Sequence, residues 1–422
     1  MKKYLLPALF SVFLFSNAIG QNRDYARDII LKLSSKEFAG RGYVDSGDRK
    51  AARFIREEFK NLGVRPMVDE YFQHFTIDIN TFPDKLKVKI GGKKLEPGHE
   101  FLVNCSSGND KGKYKLFWLN TKKGNLDSLL KVAARHDLSD KFVVTANSDR
   151  KITEQNIFEA AGVVVLQKKL WWHVSNGNQV KDFTVLKVKK SAIAEDANKI
   201  RIKIENRFLE NHKTQNVLGY IPGRKHPEKF FFVTAHYDHL GKMGQEVYFP
   251  GGNDNASGTA MMMDLARYYS NNQPDVSVAF IAFGAEETGL DGSHYFSQNM
   301  PFAKDKVLFS LNLDMVGTGS AGINVVNGRI LHEYFNTLIA INKEKDYLKK
   351  VGKRGEAANS DHYFLYRAGI PAFFIYSKGK EFREYHNLAD KGEDVPLTEY
   401  ENLFNLIRDY IGKFPVKSEL IR

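Results

Sequence analysis

The chain has 422 residues, of which 42% are apolar, enough for a packed core in a large domain with an insertion or second domain. The single cysteine, Cys105, excludes an intramolecular disulfide, and we expect it to be a buried filler. The formal net charge is +12, but the basic residues are dispersed in runs such as "KVKK" that alternate with apolar residues, which favours a solvated surface over a nucleic-acid partner.

The first twenty residues are typical of a secretory signal peptide. Lys2 and Lys3 precede an apolar stretch from Tyr4 to Phe15, and the segment ends in small residues at Gly20. We expect cleavage before Gln21 and export to the periplasm or to the outside of the cell. A membrane anchor is the alternative, but the apolar stretch is shorter than the roughly 20 residues that a span requires. We therefore predict no stable membrane insertion after signal cleavage.

The mature chain then alternates between two kinds of pattern. Ala52, Ile55 and Phe59 recur at helical spacing, and Gly63 ends that predicted helix. From about residue 79 onward, short alternating runs such as "KLKVKIGGKKL" and "KIRIKIEN" are broken by Gly, Asn and Asp, as in β-rich structure. We predict a first part of the main domain at 21–79, a β-rich insert at 80–204 and the second, catalytic part at 205–422.

The last part of the chain alternates apolar strands with helices. Its strand segments are "NVLGYIPG", "KFFFVTAH", "VSVAFIAFG", "KVLFSLNLDM" and "GIPAFFIYS". Continuous apolar strands between helices indicate a sheet that is covered on both faces. The predicted fold class is therefore α/β, with a mostly parallel central sheet flanked by helices and a β-rich inserted domain.

Titratable residues stand where these apolar strands end. Histidine and aspartate follow the "FFFVTA" strand, two adjacent glutamates follow "VSVAFIAF", and an aspartate ends "LFSLNLD". A further aspartate lies in "GGNDNASG" before a helix, and a Tyr-His pair lies in the loop after the last strand. Ligands of open α/β sheets bind at such strand ends. The candidates are His236, Asp238, Asp254, Glu286, Glu287, Asp314, Tyr385 and His386.

The composition of this set indicates a metal site. A lone aspartate after a strand is usually a turn residue, but a glutamate pair that ends a buried strand needs a cation nearby because adjacent carboxylates repel one another. Imidazole nitrogen and carboxylate oxygen without thiolate suit zinc or another borderline divalent ion held for catalysis.

The sequence resembles the co-catalytic dizinc aminopeptidases of clan MH, the group of aminopeptidase Y and the secreted bacterial leucyl-type aminopeptidases. The resemblance rests on "AARFIREEF", on "NVLGYIPG", on the strand-end residues in the family's order, and on "SDHYFLYRAGIP" before the last of them. The middle region resembles the protease-associated insert of this family through "EAAGVVVLQ". The resemblance implies a zinc-dependent metallopeptidase that releases N-terminal amino acids from peptide substrates.

The resemblance also implies a role for each candidate residue and two Zn²⁺ ions per chain. His236 and Asp314 would bind one zinc, Glu287 and His386 the other, and Asp254 both. Glu286 would be the general base, Tyr385 would donate a hydrogen bond to the developing oxyanion, and Asp238 would fix the ring of His236. A cis peptide after Asp254 is expected as well.

General chemistry is consistent with these roles. Two metals about 3.5–4 Å apart can share a hydroxide and polarise the scissile carbonyl. A carboxylate that is not a ligand can take the proton of the water and pass it to the leaving amine. Glu286 and Glu287 can divide these tasks because neighbouring side chains in a loop need not point the same way.

Other residues near these motifs receive structural interpretations. We expect His239 to support the site or face the substrate, and His362 to be supporting structure. Asp390 matches the acid that the family carries four residues after the last histidine. The "WWH" segment, residues 171–173, is interpreted as packing within the insert, with an overhang above the active-site cleft as the alternative.

Three alternatives remain open from the sequence. A glutaminyl-peptide cyclase has the same fold and one zinc, but Asn255 to Gly258 and Tyr385 favour a peptidase. A carboxypeptidase would need cationic residues for the substrate carboxylate, and the scattered Lys and Arg do not show whether any enters the pocket. A secreted binding protein with a degenerate site would lack a ligand or the base, yet all are present.

Overall fold

A computed structural model describes residues 20–119, 125–175 and 177–414. The predicted signal peptide lies outside these residues except for Gly20. The α-helices are α1 Arg23–Leu33, α2 Gly47–Asn61, α3 Leu126–Ala133, α4 Arg150–Gln155, α5 Gly258–Asn271, α6 Asp291–Gln298, α7 His332–Lys345, α8 His362–Arg367 and α9 Tyr400–Gly412.

The strands form a large sheet, a second sheet and a small hairpin. They are β1 Arg65–Pro66, β2 Phe72–Thr81, β3 Lys87–Ile90, β4 Lys93–Leu95, β5 Phe101–Val103, β6 Asp110–Trp118, β7 Lys141–Thr145, β8 Gly162–Gln167, β9 Thr184–Lys189, β10 Lys199–Ile204, β11 Arg207–Ile221, β12 His226–His236, β13 Lys242–Met243, β14 Val247–Tyr248, β15 Val276–Phe283, β16 Val307–Leu313, β17 Ile323–Val326, β18 Val351–Lys353 and β19 Ala372–Ser377.

The large sheet has the order β1-β11-β15-β12-β16-β19-β17-β18, with β2 paired to β11. The four strands at its centre, β15, β12, β16 and β19, run parallel. Antiparallel pairs flank them, between β11 and β15 on one side and between β19 and β17 on the other. The predicted α/β class with a parallel centre is confirmed.

Both faces of the large sheet are covered because successive strand residues point to opposite sides. Phe231 and Val233 of β12 pack in the core cluster that contains residues of α1, α2, α5 and α9. Phe232, between them, packs in the opposite cluster with residues of α6 and α8. This two-sided burial explains why the central strands are continuous apolar runs.

The second sheet has the order β4-β3-β10-β6-β7-β8-β9-β5 and lies between the long strands β2 and β11 in the chain. One of its faces shares a core with the main domain, in which Val88 and Ile202 pack together with Met243 and Phe249. Helices α3 and α4 cover part of the other face. The pairs β6–β7, β7–β8 and β8–β9 are parallel, so this β-rich region also contains an α/β centre.

The structure also bears on the single cysteine and on membrane-spanning helices. Cys105 is 3% exposed, as expected for a buried filler. In the part of the chain that the structure describes, no helix is both long and apolar enough to cross a membrane.

Candidate metal centre

The predicted site residues converge at the carboxyl edge of the parallel strands. His236 is the last residue of β12, Glu286 and Glu287 follow β15, and Asp314 follows β16. Because β15, β12 and β16 are neighbours in the sheet, these three chain positions meet at one edge. Asp254 precedes α5, which packs against β12.

A first group of donor atoms surrounds His236. The Nε2 atom of His236 lies 3.4 Å from Asp254 Oδ1 and 3.5 Å from Asp314 Oδ1. All three side chains are buried. Within the described residues, neither His236 Nε2 nor Asp314 Oδ1 has a hydrogen-bond partner. Buried polar atoms that converge without hydrogen-bond partners are suited to a shared cation.

A second group surrounds His386. Its Nε2 atom lies 3.0 Å from Asp254 Oδ2 and 3.2 Å from Glu287 Oε2. The two carboxylate oxygens of Asp254 therefore face different groups, Oδ1 toward His236 and Oδ2 toward His386. This is the arrangement that a carboxylate bridging two metal ions requires.

The distances between the candidate ligand atoms fit zinc. Tetrahedral coordination with bonds of about 2.0–2.1 Å places ligand atoms roughly 3.3–3.4 Å apart. The spacings in the two groups, 3.4 and 3.5 Å and 3.0 and 3.2 Å, lie near this value. Burial opposes protonation of both histidines, but the surrounding carboxylates hold the pKa of His236 and of His386 well above its ordinary value. The electrostatics thus demand positive charge at this edge of the sheet.

The loop of Asp254 is held by Asp390. The peptide between Asp254 and Asn255 is cis, as expected. The main-chain N–H groups of Asn253 and Asp254 donate to the two oxygens of Asp390, at 2.7 and 3.0 Å. Asp390 therefore fixes the backbone that presents the bridging carboxylate.

Arg41 ties this loop to the end of β12. Its buried guanidinium donates to the carbonyl oxygens of Tyr237, Pro250 and Gly251, each at 2.7 Å, and to that of Asp254 at 3.2 Å. Burial lowers the pKa of Arg41 to about 10, so it stays charged at neutral pH. This role was not predictable from local patterns, because the N-terminal "GR" pair lies far along the chain from the strand ends.

Asp238 supports the glutamate pair and not the ring of His236. Its carboxylate accepts the main-chain N–H of Glu286 at 3.0 Å and of Glu287 at 3.3 Å, and the hydroxyl of Tyr43 at 3.0 Å. The distance from Asp238 Oδ1 to His236 Nδ1 is 3.7 Å, too long for a hydrogen bond. The main-chain oxygen of Asp238, at 3.3 Å, is nearer to that nitrogen.

A chain of buried side chains leads to Asp314. Thr234 donates to Asn312 Oδ1 at 2.8 Å, and the amide nitrogen of Asn312 donates to Ser360 at 2.8 Å. The hydroxyl of Ser360 in turn donates to Asp314 Oδ2 at 2.9 Å. This occupies Oδ2 and leaves Oδ1 of Asp314 facing His236, as an oriented metal ligand requires.

Glu286 lies beside the first group, but it is not one of the carboxylates within 3.5 Å of His236 Nε2. A ligand atom of each of Glu286, His236 and Asp314 falls within 4.8 Å of the others. Burial and the neighbouring carboxylates raise the pKa of Glu286 well above its ordinary value. A carboxylate with a raised pKa is a better proton acceptor, which suits a general base.

Tyr385 lies over the second group. Its ring stacks on that of His386 with centroids 3.8 Å apart, and the residue is 40% exposed. Burial of part of the side chain and the nearby carboxylates raise the pKa of Tyr385, so its hydroxyl remains a proton donor at neutral pH.

The insert reaches the site through residues 171–173. The main-chain oxygen of Trp172 lies 2.7 Å from Nδ1 of His386, and the N–H of Trp172 donates to the main-chain oxygen of His386 at 2.9 Å. Nδ1 of His173 lies 3.2 Å from the same ring nitrogen. The interpretation of this segment as packing within the insert alone is therefore wrong, because it contacts a candidate ligand that lies over 200 residues away.

Trp172 itself is firmly anchored. Its indole N–H donates to the main-chain oxygen of Val103 at 2.8 Å, and its ring lies 4.9 Å from that of Phe249. Trp171, in contrast, is 43% exposed. The insert thereby holds a carbonyl oxygen against the outer nitrogen of His386, which selects the tautomer with Nε2 free for a metal.

His239 and His362 occupy supporting positions. Nδ1 of His239 lies 2.7 Å from Glu287 Oε1, and this residue also comes within 4.8 Å of Asp254. We favour His386 over His239 as the ligand because its Nε2 faces Asp254 and Glu287 together while Trp172 engages its other nitrogen. His362 is buried against Phe374, and burial lowers its pKa to about 3.

Comparison with known proteins finds similarity to aminopeptidases and zinc metalloproteases. Residues 216–411 match Peptidase family M28. Aminopeptidase YwaD of Bacillus subtilis (strain 168) is 31% identical over 210 residues, which is 47% of this chain and 44% of that protein. The chain spans less than half the length of the curated relatives it matches.

Solved structures share the fold over nearly the whole chain. BSAP, a zinc aminopeptidase from Bacillus subtilis, is 21% identical over 92% of this chain and 93% of that one, with a TM-score of 0.69. A glutaminyl cyclase from Bacteroides thetaiotaomicron is 13% identical over 94% and 99% of the two chains, with a TM-score of 0.53. These likenesses concern the fold, whereas the segment 216–411 that matches Peptidase family M28 contains all eight strand-end candidates.

Proposed function

We propose that the protein is an exported, zinc-dependent aminopeptidase that binds two zinc ions. The observation that carries this proposal is the position of Asp254, whose two oxygens face the groups of His236 and His386 separately. The match of residues 216–411 to family M28 and the similarity to YwaD and BSAP support a metallopeptidase. Export rests on the N-terminal signal pattern, and the resemblance of residues 80–204 to a protease-associated domain remains part of the proposal.

We assign His236 and Asp314 to one zinc, Glu287 and His386 to the other, and Asp254 to both. When bound, the two ions supply Lewis-acid chemistry that lowers the pKa of water and polarises a carbonyl. Asp390, Arg41, Ser360 and the carbonyl of Trp172 hold the ligand atoms in place, in the manner of hydrogen-bond partners that orient metal ligands.

Glu286 is assigned the proton transfer. As the water oxygen attacks the scissile carbonyl carbon, Glu286 takes its proton, and the same carboxyl then gives that proton to the leaving nitrogen when the C–N bond breaks. The raised pKa of Glu286 favours uptake of the proton from water. The Tyr385 hydroxyl donates a hydrogen bond to the oxygen on which negative charge develops.

Zinc content and substrate range together test the proposal. The purified mature protein is dialysed against a zinc-free buffer, and its zinc is measured per chain by elemental analysis. Aminoacyl chromogenic substrates with free and acetylated N-termini are then compared. Two equivalents of zinc and hydrolysis of the free series alone are expected.

Other results would assign other functions. One reproducible equivalent of zinc, with cyclisation of N-terminal glutamine, indicates a cyclase. Release of C-terminal residues from N-acetylated peptides indicates a carboxypeptidase. Tight zinc binding without hydrolysis of any peptide indicates a binding protein, and each of these results overturns the proposal.

A further inference from the structure

On β3, β10 and β6, the outer face of the second sheet consists mostly of basic side chains. In β3, β10 and β6, residues alternate between the shared core and solvent, and Val88, Ile200 and Ile202 face the core. The residues between them are mostly lysine or arginine and mostly exposed. Lysines that are dispersed in the sequence thus converge in the fold.

Strand register places these cations opposite one another. Arg201 pairs with Lys89 on one side and with Lys113 on the other. Lys203 pairs in the same way with Lys87 and Lys111. These two rows across three strands form what we call the basic face: Lys87, Lys89, Lys111, Lys113, Arg201 and Lys203.

Few carboxylates pair with the basic face in the described residues. Like charges directly opposite one another destabilise a strand pair. In the described part of the chain, the sole ion pair of the basic face joins Lys203 to Glu205 at 2.8 Å. On the neighbouring strand β4, Lys94 lies opposite Lys89 and adds a fourth cation to the row of Lys113, Arg201 and Lys89. An external anion would relieve this repulsion.

The basic face lines a groove and does not form a flat surface. A cavity of about 970 Å³ is lined by every residue of the basic face except Lys113, and also by residues 243–247 of the catalytic part. Two carboxylates, Glu96 and Glu246, are its acidic members. A groove accepts a chain more readily than a planar membrane surface.

The groove borders the loop of the candidate metal centre. A smaller cavity of about 310 Å³ shares His99 and Val247 with it and is also lined by Leu388. Leu388 follows His386 by two residues. A chain bound in the groove therefore lies at the edge of the segment that carries a proposed zinc ligand.

The remaining chemistry of the groove favours an acidic peptide over single-stranded nucleic acid. Among its described lining residues, none is Phe, Tyr or Trp, so the large aromatic side chains on which bases stack are absent, and only His99 and Arg201 offer a flat group. Alternate side chains of an extended peptide repeat every ~6.6–6.8 Å, and alternate residues of a strand such as Lys87 and Lys89 have the same repeat. Carboxylates at alternate positions of such a peptide therefore have the same spacing as the cations along one strand of the basic face.

We propose that the basic face binds acidic segments of peptide substrates at a distance from the scissile bond. The proposal rests on the peptidase function proposed above and adds to it a preference for acidic chains. The binding is electrostatic, so it weakens between 50 and 200 mM salt.

A binding measurement on the zinc-loaded full mature chain tests this without turnover. The probe is a fluorescein-labelled decaglutamate with an acetylated N-terminus, followed by fluorescence anisotropy, with a serine decapeptide for comparison. The variant Lys87→Gln/Lys89→Gln/Lys111→Gln should weaken binding of decaglutamate by about tenfold, from the combined loss of three exposed charge contacts. The control Lys306→Gln/Lys343→Gln/Lys349→Gln removes the same charge from exposed lysines elsewhere and should leave binding within about twofold.

Kinetics separate this proposal from the proposed function. With substrates that begin with leucine, the basic-face variant should raise KM for a glutamate-rich tail by about tenfold and leave kcat and the KM for leucine p-nitroanilide unchanged. Hydrolysis of leucine p-nitroanilide without any decaglutamate binding overturns the basic-face proposal alone. Decaglutamate binding without hydrolysis of any aminoacyl substrate overturns the peptidase function alone. Binding of anionic vesicles or oligothymidylate that the variant abolishes, while decaglutamate does not bind, assigns the surface to another partner and overturns it as well.

Discussion

The candidate metal centre and the basic face both concentrate charge of one sign, but they hold it in opposite ways. At the carboxyl edge of the large sheet, the carboxylates are buried, and each key oxygen or loop is fixed by a partner such as Asp390, Ser360 or Arg41. On the second sheet, the lysines are mostly exposed and largely unpaired within the described chain. Burial makes uncompensated charge costly and therefore demands both a bound cation and a rigid frame. Exposed charge is screened by water and needs neither.

The first test of this contrast replaces each of the two adjacent glutamates separately by glutamine. Glu286→Gln keeps size and hydrogen bonding but cannot accept a proton, so kcat should fall by roughly 10²–10⁴ while zinc content stays unchanged. Glu287→Gln should instead lower zinc content, because a neutral amide is a poor substitute for a carboxylate ligand. Elemental analysis and kcat on both variants, with the exposed Glu393→Gln as control, decide the matter. If Glu286→Gln loses zinc and Glu287→Gln retains it, the two roles are reversed.

The second test loosens the frame without touching a ligand. Trp172→Ala removes the indole that bonds Val103 and packs on Phe249, so the carbonyl against His386 is no longer held. Zinc affinity should fall by about 10–100-fold, the usual effect of losing a partner that orients a metal ligand. Trp171→Ala is the matched control, because Trp171 is 43% exposed, and it should change zinc affinity by less than about threefold.

An unchanged zinc affinity in a folded Trp172→Ala protein would show that the insert does not position His386. Circular dichroism and the melting temperature of the zinc-free protein distinguish that result from simple unfolding. Zinc affinity is measured by competition with a chromogenic chelator.

The third test measures how the stabilisation by zinc depends on pH, because the buried carboxylates near the site ionise as pH rises. Asp361 is a fully buried residue that follows Ser360 in the chain. Burial, as the largest cause, raises the pKa of Asp361 and of Asp390 to about 7 from an ordinary 3.8. Between these values the folded zinc-free protein binds more protons than the unfolded chain does, so its stability falls as pH rises from about 4 to 7. Zinc favours the ionised carboxylates, so the stabilisation by zinc should grow over the same interval.

The measurement is the difference in melting temperature between zinc-loaded and chelator-treated protein. This difference should be larger at pH 7.5 than at pH 5, and Asp361→Asn should reduce its pH dependence. A difference that is larger at pH 5 would contradict the assignment of these carboxylates as buried groups with raised pKa values in the zinc-free protein.

The smallest expected effect concerns the basic face. Arg201→Gln removes the cation between Lys89 and Lys113, so the free energy of unfolding should rise by about 0.2–1 kcal/mol at low salt. The gain should vanish in 1 M salt, where the screening length is about 3 Å. The exposed Lys343→Gln serves as control and should change nothing measurable. A gain that persists in 1 M salt would mean that packing, and not charge repulsion, is responsible.

The sequence alone was sufficient for the fold class and for locating the candidate residues at the ends of the central strands. Period-3.6 and continuous apolar patterns are local properties, so α2 and the central strands were predictable from their own residues. The strand-end position of His236, Glu286 and Asp314 is local as well. Their roles came from resemblance to a family, and the cis peptide after Asp254 was anticipated in the same way.

Only the tertiary structure determined which atoms face one another. The contact between Trp172 and His386 joins segments over 200 residues apart, and the support of the glutamate pair by Asp238 depends on loop geometry that leaves no local pattern. The basic face arises because strand register aligns Lys89, Arg201 and Lys113, although each strand by itself shows only the ordinary alternation of an exposed face. Local sequence fixes the type of an element and the side to which its residues point, whereas pairing between distant elements depends on the free energy of the whole packed chain.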